Sequence, residues 1–150
     1  MNAAPFIDDT CVDPNVLPEM LPKLYKILDE SDLLYTIAGH IGDGNFHIIP
    51  LMDLSKKEER DKIYTVADKV FELIGSYGGS VSGEHNDGIV RSPYLEKVYG
   101  HDVYNIFKEI KETFDPQNIF NPHKKIGVTK EFAKENMITS TEVKIIKDYK

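Results

Sequence analysis

The chain has 150 residues, of which 41% are hydrophobic and 29% charged, enough for one globular domain with its own core. Acidic residues outnumber basic ones by 25 to 18, and the net charge of -7 argues against nucleic acid as a partner. The single cysteine, Cys11, excludes an internal disulfide and a cysteine-ligated iron–sulfur cluster, and it is typical of a reducing cytosol. No apolar run approaches the ~20 residues of a transmembrane helix, so we expect a cytoplasmic protein without a transmembrane segment.

The first half of the chain is predicted to contain both strands and helices, because short apolar segments bounded by turn residues alternate with apolar residues at helical spacing. In chain order the predicted elements are a strand over 6–12, a helix over 17–30, strands over 33–41 and 45–51, a long helix that starts with a capping box at 55–58 and ends at 78–79, and a strand over 80–83. This β-α-β-β-α-β order is the ferredoxin-like pattern of the α+β class. It predicts an antiparallel sheet with both helices on one face and the other face free.

The second half is predicted to be mainly helical. Its elements are a helix that opens at Ser92-Pro93 and stops at Gly100, a helix whose apolar face comprises Val103, Ile106, Phe107 and Ile110, an ordered loop over 115–125, and a polar tail or linker over 127–150 with a weak β-like patch at 143–146. We therefore expect one domain over residues 1–126.

The segment from His40 to His47, HIGDGNFH, predicts a pair of neighbouring imidazoles. Asp43-Gly44 is a strong signal for a two-residue hairpin turn. With these residues in the turn, His40 faces His47, and opposed residues on a sheet have Cβ atoms about 4.5–5.5 Å apart. The alternate set of side chains is apolar and is expected to pack under the helices: Ile37, Ile41, Phe46 and Ile48. The two imidazoles are therefore expected on the face that the helices leave free.

Two histidines in register across a glycine-rich turn favour a shared divalent metal ion over an unliganded pair. A carboxylate is the natural third ligand, with positions left open for substrate or water. The candidates are Asp43, which the turn uses, and Glu84, which could ligate while the adjacent His85 moves a proton. Spacing alone is equally compatible with an exposed Glu-His pair at a strand end. In the usual ferredoxin-like strand order, Glu84 would also have to reach the histidines from a loop at the end of the sheet.

At these motifs the sequence resembles the C-terminal domain of the FAD-linked oxidases. These are flavoproteins of the vanillyl-alcohol-oxidase type, including D-lactate dehydrogenase, D-2-hydroxyglutarate dehydrogenase and the glycolate oxidase flavin subunit. The family's GHxGDGNxH segment corresponds to residues 39–47, and its GEHG-like segment to residues 83–85. A closing segment of the form DPxxxxNPxK lies within residues 115–125. The three motifs occur in the family's order and cover most of residues 6–126.

The resemblance implies roles for individual residues. His40, His47 and Glu84 match the ligands of the metal-dependent members, and zinc or manganese is the expected ion. His85 matches the proposed base that takes the proton of the substrate's 2-hydroxyl while hydride passes to the flavin. Asn121 lies in the segment expected near the FAD. A metal would hold the substrate's oxygens and lower the pKa of its hydroxyl, and imidazole is well tuned as a base near neutral pH.

Two positions depart from the family's pattern. Asn86 stands where the family usually has glycine after the Glu-His pair, and His123 stands where it has glycine in its closing motif. The family's FAD-binding domain precedes this region, and nothing in the 150 residues resembles it. We therefore expect a part of a longer flavoenzyme, or a split subunit, that is inactive alone. The full assembly is expected to be cytoplasmic or peripheral to a membrane.

Three functions are compatible with these observations. The first is the substrate and metal lobe of an FAD-dependent 2-hydroxyacid dehydrogenase that oxidises a small acid such as D-lactate or glycolate. The second is a ferredoxin-like module that binds a metal or a small molecule without flavin chemistry. The third is a structural lobe whose histidines bind nothing. An FAD-binding domain encoded directly upstream favours the first, and a metal assay separates the third from the other two.

Overall fold

The computed structural model describes residues 1–137 and residue 139, and it confirms a mixed α+β architecture. The elements are β1 (Asn2–Ala3), β2 (Thr10–Cys11), α1 (Leu17–Glu30), β3 (Leu34–Ala38), β4 (Asn45–Met52), α2 (Lys57–Ser76), α3 (Leu95–Tyr99), α4 (His101–Phe114) and α5 (Lys130–Glu135). The predicted β-like patch at 143–146 lies outside the described residues. Among the helices of the described part, none combines the length and the apolar character that crossing a membrane requires.

Strand β4 is the centre of a small antiparallel sheet. One edge of β4 pairs with β3, and the other pairs with β1 near one end and with β2 near the other. After α2 the chain returns to make an isolated bridge between Ser80 and Cys11. The strand predicted over 80–83 is therefore wrong in extent, because the backbone amides of residues 83–85 donate to the Asp9 carboxylate instead of continuing a ladder.

The connection between β3 and β4 corrects the predicted two-residue turn. Ala38, and not His40, lies opposite His47. Residues 39–44 form a longer loop that contains one 3₁₀ turn. Ile41, which the predicted register placed under the helices, is 52% exposed in this loop. The predicted strand that follows the turn is confirmed, but the predicted pairing of the two histidines within the ladder is wrong.

The loop is longer because it packs against the chain that follows β2. Gly44 has a φ of +71°, and a Cβ there would lie 1.8 Å from the carbonyl oxygen of Val12. The Val12 amide donates to the Gly44 carbonyl at 3.0 Å. The amides of Asp43 and Asn45 both donate to the His40 carbonyl. These hydrogen bonds take His40 out of the strand and hold it in the turn.

The strand predicted over residues 6–12 is also shorter than expected. Only Thr10–Cys11 pairs with β4. Asp9 has a φ of +65°, a left-handed conformation that interrupts an extended chain. Phe6 and Ile7 are buried in the core before this bend. The bend brings the carboxylates of Asp8 and Asp9 to the loop that follows Ser80.

The core lies between one face of the sheet and the helices α1 and α2. Alternate apolar side chains of β4 share one buried cluster with the apolar stripes of both helices: Phe46, Ile48, Met52, Met20, Leu24, Leu28, Val66, Val70 and Ile74. Each such side chain contributes roughly 1.5–3 kcal/mol when fully buried. On the opposite face Leu34 and Leu51 remain exposed. The helices therefore cover one face of the sheet and leave the other open.

Helix α5 lies within the residues predicted to be a tail or linker. Val128, just before the helix, and Ala133 within it are buried. The Lys130 ammonium pairs with the Asp68 carboxylate on α2. The start of that predicted region therefore packs on the domain.

Candidate metal and ligand site

Three imidazoles converge on one carboxylate oxygen. Glu84 Oε1 lies 3.1 Å from the Nε2 atom of His47, and 3.4 Å from the Nε2 atoms of His40 and of His85. The residues come from three places in the fold: the loop between β3 and β4, the strand β4, and the loop after Ser80. The sequence predicted that His40 and His47 lie close together. The structure also brings Glu84 and His85 to them, on the loop after Ser80.

The three rings differ in orientation and exposure. His47 and His85 stack with ring centroids 4.8 Å apart and planes 12° apart. His40 meets His47 edge-on at 5.9 Å. The side chain of His47 is 14% exposed, whereas those of His40 and His85 are 61% and 47% exposed. The site is therefore anchored on a nearly buried ring and opens to solvent through the other two.

The donor set fits a divalent cation. Metal–ligand bonds of about 2.0–2.1 Å in tetrahedral geometry separate neighbouring ligand atoms by roughly 3.3–3.4 Å. The distances from Glu84 Oε1 to the three imidazole nitrogens, 3.1 to 3.4 Å, are close to that spacing. Imidazole nitrogen with one carboxylate oxygen is a donor set that suits zinc better than magnesium or calcium.

Asp9 also lies near this cluster, but its carboxylate accepts hydrogen bonds from neighbouring residues. One of its oxygens and ligand atoms of His47, Glu84 and His85 all lie within 4.8 Å of one another, a group that does not include His40. The carboxylate is fully buried, and it accepts hydrogen bonds from three amides and two side chains: the amides of Gly83, Glu84 and His85, the Ser82 hydroxyl and the Asn45 amide. These bonds occupy the acceptor positions of both oxygens. We therefore infer that Asp9 stabilises the loop and is not a metal ligand.

The Asp9 carboxylate is kept ionised by these donors. Burial raises the pKa of Asp9, but hydrogen bonds from the amides of His85 and Glu84 and from the side chains of Ser82 and Asn45 lower it, and the pKa falls to about 2. The donors come from the loop that carries Glu84 and His85, so the charge of Asp9 holds that loop in place.

Gly83 shows why this loop begins with glycine. A Cβ at Gly83 would lie 2.5 Å from the Asn45 side-chain nitrogen and 3.2 Å from Asp9 Oδ1. Asn45 uses that nitrogen to donate to Asp9 Oδ1 at 3.0 Å. A side chain at position 83 would therefore separate the loop from the carboxylate that anchors it.

Asp8 and Arg91 are further residues of the site that the sequence analysis missed. Asp8 Oδ1 lies 2.8 Å from His47 Nδ1, and Asp8 Oδ2 lies 3.2 Å from His85 Nδ1. The buried Arg91 donates from Nη1 to the Asp8 carbonyl at 2.7 Å and from Nη2 to the Asn86 carbonyl. The sequence signal that could have revealed Asp8 was a pair of adjacent acidic residues, Asp8 and Asp9, inside an apolar segment. Buried carboxylates require hydrogen-bond partners, so such a pair indicates polar contacts.

Asn121 lies on a groove that starts at His85. The groove has a volume of about 620 Å³ and is lined by His85, Asn121, the aromatic rings of Phe107, Phe114 and Phe120, and lysines that include Lys111 and Lys124. Lys125, at the end of the closing motif, pairs with the buried Asp87 at 2.7 Å. This ion pair joins the closing motif to the segment that carries Glu84 and His85.

The two positions that depart from the family's glycines keep a left-handed backbone. Asn86 has a φ of +63° and His123 a φ of +57°. Glycine adopts this conformation without strain, and asparagine tolerates it better than most other residues. Asn86 Oδ1 accepts from the Asp87 amide at 2.9 Å, and the His123 ring packs against Phe132 with centroids 4.7 Å apart. Local contacts thus offset the strain that the missing glycines leave.

A cluster of three imidazoles and one carboxylate beside a partly apolar groove defines a candidate metal- and ligand-binding domain of the α+β class. The chain belongs to the family of the C-terminal domains of FAD linked oxidases, whose family model, "FAD linked oxidases, C-terminal domain", matches residues 1–125. The resemblance drawn from the three motifs is confirmed. The family's description places such domains in FAD linked oxidases.

Several curated proteins are similar to this chain. It is 39% identical over 120 residues to D-2-hydroxyglutarate dehydrogenase of Haemophilus influenzae, covering 80% of this chain and 12% of that protein. It is 38% identical over 120 residues to the mitochondrial D-lactate dehydrogenase [cytochrome] of Arabidopsis thaliana, covering 80% and 21%. It is 31% identical over 118 residues to the glycolate oxidase subunit GlcD of Bacillus subtilis, covering 79% and 25%. The matched region thus spans 12% to 25% of the length of these relatives.

Proposed function

We propose that this chain is the substrate- and metal-binding C-terminal part of an FAD-dependent dehydrogenase of small 2-hydroxy acids. The observation that carries the proposal is the convergence of His40, His47 and His85 on Glu84 Oε1 within 3.4 Å. The relatives are named for the oxidation of D-2-hydroxyglutarate, D-lactate and glycolate, all of which are 2-hydroxy acids. We also propose a ferredoxin-like arrangement of the sheet, which is supported by the pairing of β4 with β3 and with β2 and by the bridge between Cys11 and Ser80, with residues 80–83 in place of the fourth strand.

In this proposal His40, His47 and Glu84 hold a divalent metal ion, zinc or manganese. His47 is nearly buried on a strand, so it gives the site a rigid ligand, while His40 and Glu84 approach from loops. When bound, the ion supplies a Lewis acid that favours ionisation of a coordinated hydroxyl. The mixed nitrogen and oxygen donors favour zinc.

His85 is the general base of the proposed reaction. Its Nε2 atom points to the same position as the ligand atoms, and 47% of its side chain is exposed, so a substrate hydroxyl can reach it. The proton of the 2-hydroxyl passes to His85 Nε2. A general base of this kind typically raises the rate of a reaction by about 10²–10⁴-fold. FAD supplies the acceptor for the hydride that leaves carbon 2.

The partner in this proposal is an FAD-binding domain, upstream in the same protein or on a separate chain. The groove beside His85 contains Asn121, and its aromatic and lysine side chains suit a ligand with an aromatic ring and negative charge. Helix α4 borders this groove and exposes Ile106, Ile110 and Phe114. Exposed apolar patches of this kind mark interaction surfaces, so we assign this helix face to contact with the FAD-binding domain.

The metal assignment is tested by titrating the purified chain with zinc and manganese, using calorimetry and a competing chelator. We expect one ion per chain, and a loss of roughly 100-fold in affinity for His40→Ala, since each ligand contributes a few kcal/mol. His101→Ala is the matched control, because His101 lies on α4 and pairs with Glu96, outside the site. Absence of binding by the unaltered chain, or equal affinities for the two variants, would contradict the assignment.

The base assignment is tested in the protein that contains both this chain and its FAD-binding domain. We expect His85→Ala to slow anaerobic flavin reduction by a 2-hydroxy acid about 10²–10⁴-fold while metal content stays unchanged. His101→Ala should reduce its flavin at the normal rate. Normal reduction in His85→Ala would remove His85 as the base, and loss of metal in that variant would make it a fourth ligand instead.

A further inference from the structure

The carboxylate of Asp8 is shared between two histidines of the site. Its Oδ1 atom lies 2.8 Å from His47 Nδ1, and its Oδ2 atom lies 3.2 Å from His85 Nδ1. The Asp8 side chain is 11% exposed. One nearly buried group therefore contacts both the strand histidine and the loop histidine, on the Nδ1 side of each ring.

These contacts decide which nitrogen of each ring carries the proton. Carboxylates face both nitrogens of each ring, but Asp8 lies closer to the Nδ1 atoms, at 2.8 and 3.2 Å, than Glu84 lies to the Nε2 atoms, and its side chain is 11% exposed against 48% for Glu84. Because a carboxylate accepts hydrogen bonds, the closer and less solvated contact with Asp8 favours the N–H group on Nδ1. A neutral imidazole has only one N–H, which leaves a free lone pair on Nε2. The Nε2 atoms of His47 and His85 are the atoms that face Glu84 Oε1, at 3.1 and 3.4 Å.

We infer that Asp8 is a positioning residue that sets His47 and His85 in the Nδ1-protonated tautomer and directs both Nε2 lone pairs to one point beside Glu84. The inference rests on the proposed function, because that lone pair is what His47 needs as a metal ligand and what His85 needs as a base. Sharing one carboxylate also accounts for the stacking of the rings, with centroids 4.8 Å and planes 12° apart. Hydrogen-bonded carboxylates behind ligand histidines typically orient the ring and raise its basicity.

The position of Asp8 is itself fixed by hydrogen bonds. Arg91 Nη1 donates to the Asp8 carbonyl at 2.7 Å, and the Asp9 amide donates to Asp8 Oδ1 at 2.9 Å. Asp8 lies on the opposite side of the two rings from Glu84, so it is placed to orient the ligands and not to be one. Preorganisation of this kind spares the site the entropic cost of ordering the rings when a ligand binds.

Asp8→Asn isolates this effect because it keeps the size of the side chain. An asparagine amide has one accepting oxygen and one donating nitrogen, so it can accept from one Nδ1–H group but must donate to the other ring. The ring that accepts is forced to carry its proton on Nε2 and loses the lone pair aimed at Glu84. Asp53→Asn is the matched control, since Asp53 accepts hydrogen bonds from Ser55 before α2, away from the site.

The first test reads the tautomers directly by ¹⁵N NMR of the metal-free chain at about pH 8.5, where imidazoles are ordinarily neutral. We expect His47 and His85 to be protonated on Nδ1, and at least one of them to change to Nε2 in Asp8→Asn but not in Asp53→Asn. Protonation on Nε2 in the unaltered chain would overturn the inference, whether or not the variant folds.

The second test compares zinc affinity in the same proteins. We expect Asp8→Asn to bind zinc about 10–100-fold more weakly and Asp53→Asn to bind it normally, the size of loss that is typical for partners of ligand histidines. If the unaltered chain binds zinc, equal affinities of the two variants would overturn the inference. Nδ1-protonated rings in a chain that binds no zinc would support the role of Asp8 and contradict the proposed metal. Zinc binding by a chain whose rings are protonated on Nε2 would contradict the role of Asp8 and support the proposed metal.

Discussion

Asp9 shows how one buried carboxylate holds the loop that carries two candidate functional residues. Its oxygens lie 2.7 to 3.1 Å from the amides of Gly83, Glu84 and His85. Hydrogen bonds to an ionised acceptor are roughly twice as strong as those between neutral groups. Because two of the donors are the amides of Glu84 and His85 themselves, the position of these residues depends on the charge of Asp9.

The depressed pKa of Asp9 predicts a loss of stability in acid. The pKa is about 2 in the folded chain against an ordinary 3.8, so folding favours the ionised form. The stabilisation is therefore fully present above about pH 4 and is lost as the pH falls towards 2, a change of about 2 kcal/mol. Urea unfolding measured between pH 7 and pH 2 should show this decline.

Asp9→Asn provides the check on that assignment. We expect it to lower the free energy of unfolding at neutral pH by roughly 2–4 kcal/mol, because an asparagine nitrogen would face backbone amides and leave buried donors without an acceptor. It should also flatten the acid decline. Asp102→Asn, at the exposed start of α4, should keep the normal profile. An unchanged acid decline in Asp9→Asn would assign the effect to other carboxylates.

At the scale of elements, the regular structure was more predictable than the loops. The helix predicted over residues 17–30 is observed as Leu17–Glu30, because its apolar spacing reports directly on the face that packs in the core. The turn signal of Asp43-Gly44 is local, whereas the loop that forms there depends on contact with Val12 from a distant part of the chain. The fold also needed the bend at Asp9, whose partners follow Ser80 and are invisible to any local pattern.

The contact between Gly44 and Val12 predicts opposite results for two glycines of the same loop. Gly44→Ala would place a Cβ 1.8 Å from the Val12 carbonyl oxygen at a φ of +71°, whereas a Cβ at Gly42 meets nothing within 4 Å. We expect Gly44→Ala to lower the free energy of unfolding by roughly 2–4 kcal/mol. It should also weaken zinc binding, because the loop carries His40.

Gly42→Ala is the control for that prediction, and we expect it to leave both stability and zinc affinity close to normal. Chemical denaturation and zinc titration of the two variants measure both quantities. Equal behaviour of the two alanine variants would show that the close contact at Gly44 does not hold the loop.

At the scale of the whole molecule, the sequence predicted which residues meet better than how they meet. His40, His47, Glu84 and His85 lie together, although the predicted register of the hairpin was wrong. Any short connection between β3 and β4 brings His40 and His47 near each other, so their proximity does not depend on the register of the hairpin. Asp8 was not predicted as a partner of the histidines, because its role depends on contacts with both β4 and the loop after Ser80.

Helix α4 carries an apolar stripe that the domain itself leaves largely uncovered. The predicted apolar face divides, since Phe107 packs against the core while Ile106 and Ile110 are each 52% exposed. Phe114, at the end of the helix, is 80% exposed. Ile110 and Phe114 also line the groove that contains Asn121. The amphipathic pattern was therefore read correctly as a helix, but part of its apolar side is available to the proposed FAD-binding domain.

Charge placed on this stripe should separate docking from folding. We expect Phe114→Asp to leave the unfolding free energy and zinc affinity of the chain nearly unchanged, because the side chain makes little contact with the domain. Its binding to a separately expressed FAD-binding domain, measured by calorimetry, should weaken about 10–100-fold, the loss that corresponds to one large apolar side chain. Tyr25→Asp, at a 42% exposed position on α1, is the control and should bind normally. Equal affinities for the two variants would place the contact with the FAD-binding domain on another surface, of which the open sheet face with Leu34 and Leu51 is the next to test.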